Sequence, residues 1–70
     1  MNKIEKFLRK LDKTRRDKIY EVVSLIQGGN VGELDCKKLE GARDKYRVRV
    51  GRIRIKFIKH ANFNEITEID

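Results

Sequence analysis

Tyr46-Arg47-Val48-Arg49-Val50-Gly51-Arg52-Ile53-Arg54-Ile55-Lys56-Phe57 decides how this chain folds. Apolar and basic side chains alternate with a period of two on both sides of Gly51-Arg52. That is the pattern of two half-buried strands joined by a tight turn, and Gly51 suits the turn. In the simple register Val48, Val50, Ile53, Ile55 and Phe57 share one face. Arg47, Arg49, Arg54 and Lys56 share the other.

Beyond this hairpin, Ala61-Asn62 predicts a second turn and 63–69 a third strand. Ile66 and Ile69 stand three apart, so that strand is expected to carry a bulge or be buried on both sides. Before the hairpin, residues 29–45 read as a connecting loop anchored by Leu34 and Leu39. The N-terminal part has helical periodicity instead. Ile4, Phe7, Leu8 and Leu11 form one apolar stripe, and Ile19, Val22, Val23 and Ile26 repeat it. Asn2 with Glu5 and Thr14 with Asp17 offer capping boxes, and Gly28-Gly29 a helix stop. Asp12-Lys13 leaves room only for a tight turn. The expected fold is α+β: a helical hairpin over 2–28 packed on one face of an antiparallel sheet of about three strands over 46–69, all in one domain spanning 1–70.

Composition narrows the function classes. The chain has 70 residues, 39% of them hydrophobic, enough for one thin core but not for a deep cofactor cavity. No apolar run exceeds two residues, so neither a membrane span nor a secretory signal is expected, and the reading is a cytoplasmic protein. Cys36 is the one cysteine and His60 the one histidine, which excludes a disulfide framework and a multi-cysteine zinc site. The net charge is +7, and the excess is concentrated: residues 42–60 hold eight basic side chains against the single acid Asp44. Such a block is the footprint of a polyanion partner.

Conventional catalytic arrangements are missing. One serine, Ser24, and one histidine make a nucleophile–base–acid triad hard to build. His60 reads as an exposed turn residue and Cys36 as a half-buried loop cysteine. What remains is the basic sheet face. Arg47 and Arg49 lie along one strand and Arg54 comes within cross-strand reach. Guanidinium forks match phosphate oxygens, and the cluster could stabilise the phosphorane formed when an RNA 2′-hydroxyl attacks its phosphate. Arginine is a poor base, so this chemistry would rest on electrostatics and positioning, without a cofactor or metal.

The stretch Leu39-Glu40-Gly41, followed by the hairpin strands, resembles the RelE/ParE superfamily of toxins from type II toxin–antitoxin systems. Its pattern is a Lys- and Leu-rich helical hairpin, a K-L-x-G loop, and Y-R-V-R-x-G-x-x-R-I-x-F. The likeness runs from Ile4 to Ile69, with Ile4–Ile19 (IEKFLRKLDKTRRDKI) matching the hairpin. The RelE branch implies a ribosome-dependent mRNA endoribonuclease that inhibits translation, with Arg47, Arg49 and Arg54 at the catalytic positions. Lys37, Lys38, Arg43, Lys45, Arg52 and Lys56 would then bind RNA or the ribosome. The resemblance further implies a cognate antitoxin as partner, and no membrane. The ParE branch implies a DNA gyrase inhibitor instead. A further basic residue and a tyrosine or histidine that RelE-like nucleases carry after the third strand have no counterpart before Asp70. That raises a third expectation, a toxin relic that binds RNA without cutting it.

Overall fold

The computed structural model describes residues 3–41 and 43–70. It is an α+β fold with two helices, α1 (Lys3–Arg9) and α2 (Lys13–Gln27), followed by four strands: β1 (Asp35–Lys38), β2 (Lys45–Val50), β3 (Ile53–Lys59) and β4 (Asn64–Ile69). The strands form one antiparallel sheet in the order β1-β2-β3-β4. The helices lie on one face of this sheet and approach β4 most closely. No helix among the described residues is long and apolar enough to cross a membrane.

Both apolar helical stripes serve the core. Leu8 from α1 and Ile19, Val22 and Ile26 from α2 are buried against Val48, Ile55, Phe57 and Ile69 of the sheet. Ile4, Phe7, Leu11 and Val23 pack half-buried at the margin. The last turn of α1 tightens, with Lys10 and Leu11 donating to carbonyls three residues back. The start of α2 differs from the sequence expectation. Asp12, not Thr14, is the N-cap: its carboxylate accepts the Arg15 amide at 2.8 Å, and Thr14 already sits inside the first turn. Asp12 holds an extended backbone, which frees its side chain to fold back over the helix end. The stop is as expected, with Gly29 at φ 79°. The Asn30 amide reaches the Leu25 carbonyl and the Gly29 amide that of Ile26, a Schellman closure. The Asn2 cap lies outside the described residues.

In the sheet, Tyr46 pairs with Phe57, Val48 with Ile55 and Val50 with Ile53, all facing the helices. Tyr46 and Phe57 stack with ring centroids 5.4 Å apart. Gly51 takes φ 61° while Arg52 stays at negative φ, the pattern of a type II′ turn. The third predicted strand is present as β4, and its irregularity is a register shift. Ile66 opposes Phe57 and Glu68 opposes Lys56, so Thr67 is the extra residue. Its hydroxyl donates to the Lys56 carbonyl at 3.2 Å. Asn64 ties β4 to the end of α2 by donating to the Ile26 carbonyl at 2.8 Å.

The strand count is four rather than about three. Residues 29–45 are not one loop, because Asp35–Lys38 pairs with β2 along its whole length. Cys36 opposes Val48 on the helix side, and Leu34 packs against the core just before it. Three of the four β1 residues are charged, which suits an exposed edge strand but hides it from any search for apolar alternation.

Candidate nucleic-acid interface

The side of the sheet away from the helices carries only what the alternation leaves there. From β2 come Lys45, Arg47 and Arg49; from β3, Arg54, Lys56 and Ile58. The edge strands add Asp35 and Lys37 on β1, and Glu65 and Glu68 on β4, with Asp70 just beyond. Register sorts these residues into rows that cross the strands.

The first row reads Asp35, Arg49, Arg54, Asp70. Arg49 and Arg54 are direct cross-strand partners, a like-charge contact that costs stability when left alone. The edge carboxylates relieve it. Arg49 Nε donates to Asp35 Oδ2 at 3.1 Å, and Arg54 Nε lies 3.2 Å from Asp70 Oδ1. Paired backbone hydrogen bonds between Arg54 and Asp70 hold that end of the row in place.

The second row reads Lys37, Arg47, Lys56, Glu68. Three cations share one carboxylate, and it is taken: Lys56 Nζ donates to Glu68 Oε2 at 3.3 Å. Arg47 stands between Lys37 and Lys56 and makes no ion pair or side-chain hydrogen bond with any described residue. It is half-buried as a whole residue. The third row, Lys45, Ile58, Glu65, is balanced in charge. The face is therefore not uniformly basic. Its uncompensated charge is centred on Arg47.

The residues singled out in the sequence divide accordingly. Arg47, Arg49 and Arg54 are together on one face, as expected, but two of the three are already paired. Lys37, Lys45 and Lys56 join them. Lys38 opposes Tyr46 and so belongs to the other side of the sheet, exposed at the edge. Arg43 lies in the loop joining β1 to β2, and Arg52 in the turn at the opposite end of β2. Six strand residues separate those ends, about 17 Å at the usual rise per residue. Arg43 and Arg52 therefore cannot grip the same phosphate. Arg52 instead meets Arg15 and Lys18 of α2 around a cleft of about 400 Å³ floored by Ile19, Val50 and Ile53.

Other reactive groups lie elsewhere. Cys36 faces the helices, and burial pushes its thiol above the ordinary range, with the neighbouring Asp35 charge adding to the effect. His60 is exposed at the turn after β3, with its Nε2 2.9 Å from Glu65 Oε1, and its ring stacks on Phe63. His60 lies six positions after Arg54, about 20 Å along the strand, so it does not share a site with that arginine. No group of three or more His, Cys, Asp or Glu residues is placed to hold a metal among the described residues. Sequence reasoning missed Asp35, Glu68 and Asp70 as partners of the basic residues, and the ring pair of His60 and Phe63. Simple alternation in β4 would set Glu68 on the same side as Ile66, and only the bulge at Thr67 turns it to the outer face, so no pattern in the sequence pointed to Glu68 or to Asp35.

No family model, curated protein or solved structure matches this chain.

Proposed function

We propose that the protein is the toxin of a type II toxin–antitoxin pair, of the RelE-like kind, and that it engages mRNA on the exposed face of its sheet. The observation that carries this reading is Arg47: a half-buried arginine without an ion pair or side-chain hydrogen bond to any described residue, set between Lys37 and Lys56 on the sheet. A phosphate placed there meets three donors and satisfies a charge that the fold leaves open. Arg49 and Arg54 stand one row away, where their side chains are held by carboxylates that a second phosphate would displace. In the nuclease reading these arginines stabilise the phosphorane, and the ribosome positions the 2′-hydroxyl for attack. A cognate antitoxin would silence the protein by covering the same face.

A specific feature favours a second reading, RNA binding without cleavage. The three clustered arginines are poor proton acceptors, and the carboxylates that touch Arg49 and Arg54 are engaged as their ion-pair partners. One experiment separates the readings: mapping mRNA 5′ ends on translating ribosomes with purified wild-type protein, Arg54→Ala and Arg47→Ala. Cuts inside the decoding-site codon that disappear in Arg54→Ala support the nuclease. Binding with intact mRNA supports the second reading. Intact mRNA, no RNA binding and induction of the DNA-damage response would replace both with gyrase inhibition.

A further inference from the structure

We infer that Phe63, backed by His60, is a stacking platform for an unpaired base of single-stranded RNA, at the end of the sheet where β3 turns into β4. This rests on the RNA reading above and adds a subsite to it. Phe63 is 57% exposed although it is one of the chain's three phenylalanines. Its ring is nonetheless held. The imidazole of His60 covers one face, with centroids 4.6 Å apart and 21° between the planes. The His60 amide donates to the Phe63 carbonyl at 2.8 Å, closing the turn, and Glu65 Oε1 fixes the imidazole at Nε2. His60 thus covers one face of the Phe63 ring, and the exposure of the residue leaves the other face to solvent. Tyr20, the other exposed large apolar residue among those described, lies on α2 and has no such backing.

Position and charge specify the ligand. Glu65 lies on the same side of the sheet as the Arg47 row, so the ring pair borders the interface. Lys56 is four residues before His60 on β3, about 13 Å along the strand. The Lys59 amide donates to the Asp44 carbonyl, which brings the neighbourhood of Arg43 and Lys45 to the same end. An aromatic face beside a cationic track is the combination that binds single strands with little sequence preference, because every base offers a π-face. Duplex RNA keeps its bases stacked and cannot use it.

The test compares wild type, Phe63→Ala and Phe63→Trp for binding to a short U-rich single-stranded RNA and to inorganic polyphosphate. Circular dichroism establishes that each variant is folded. Phe63→Ala should weaken RNA binding about 5- to 150-fold while leaving polyphosphate binding unchanged. Phe63→Trp should retain RNA affinity, and because the chain has no tryptophan, its fluorescence should be quenched by RNA but not by polyphosphate. Undiminished RNA binding by folded Phe63→Ala, equal losses for both ligands, or an unquenched tryptophan overturns the platform alone. Wild-type protein that binds polyphosphate but not RNA overturns the functional reading, and the platform with it.

Discussion

At the scale of single residues, the arginines of one sheet face are not equivalent, and their partners decide what each contributes. Arg47→Ala should remove a contact that no carboxylate competes for. Its RNA affinity should fall further than that of Arg49→Ala, and the slope of log affinity against log salt should flatten by about 0.7. Equal effects from the two variants would show that the pairing seen here does not control binding. The converse change is Asp35→Asn, which frees the Arg49 guanidinium while keeping the side-chain shape. The variant should bind RNA more tightly and with a steeper salt slope; unchanged binding would mean that Asp35 exerts no restraint. Cys36 provides a check on burial. With its thiol pushed upward, the thiolate fraction at pH 7.5 is below that of a free cysteine. Alkylation by iodoacetamide should therefore be slower in the native protein than in denaturant, and it should approach the denatured rate only as the pH is raised well above neutrality. Matching rates at pH 7.5 would contradict the environment described.

At the scale of elements, β2 and β3 were legible because each satisfies one demand on each face. Val48 and Ile55 are fully buried cross-strand partners. Val48→Asp would remove a packed side chain and place an unpaired charge between them, a combined cost of roughly 5 kcal/mol or more that is comparable with a total stability of about 4 to 10 kcal/mol for a chain of this length. The variant should be unfolded by circular dichroism, and a native spectrum would reverse the assignment of faces. β1 was not legible, because Asp35, Lys37 and Lys38 have no apolar rhythm and the strand exists through its pairing with β2. The α2 cap shows a subtler limit. Thr14 and Asp17 have the spacing of a capping box, but Asp12 precedes them, and the short link from α1 lets the helix start two residues earlier. Asp12→Ala should cost about 1 kcal/mol and lower the melting temperature by about 4 to 8 °C. The same substitution at Thr14 should cost less, which distinguishes the two caps. The ion pairs of the face escaped the sequence because Asp35 and Arg49 lie 14 residues apart and meet only once the sheet is assembled.

At the scale of the whole molecule, a thin core of eight buried apolar residues among those described supports a chain of +7 net charge. Self-repulsion of that charge makes the native state sensitive to counter-ions. A bound polyanion should raise the melting temperature in low salt, and 0.5 M salt should abolish most of that increase. The distribution of charge has an additional consequence. Glu65, Glu68 and Asp70 form an acidic margin along the β4 side of the exposed face, while the middle strands carry the positive potential. A chain of phosphates laid across the strands would have to pass over that margin. One running parallel to β2 and β3 would meet no such barrier between the Arg52 turn and the Arg43 loop. The sheet thus imposes a heading on whatever polyanion it holds, and the course of the bound backbone is set by where the acids stand as much as by where the arginines do.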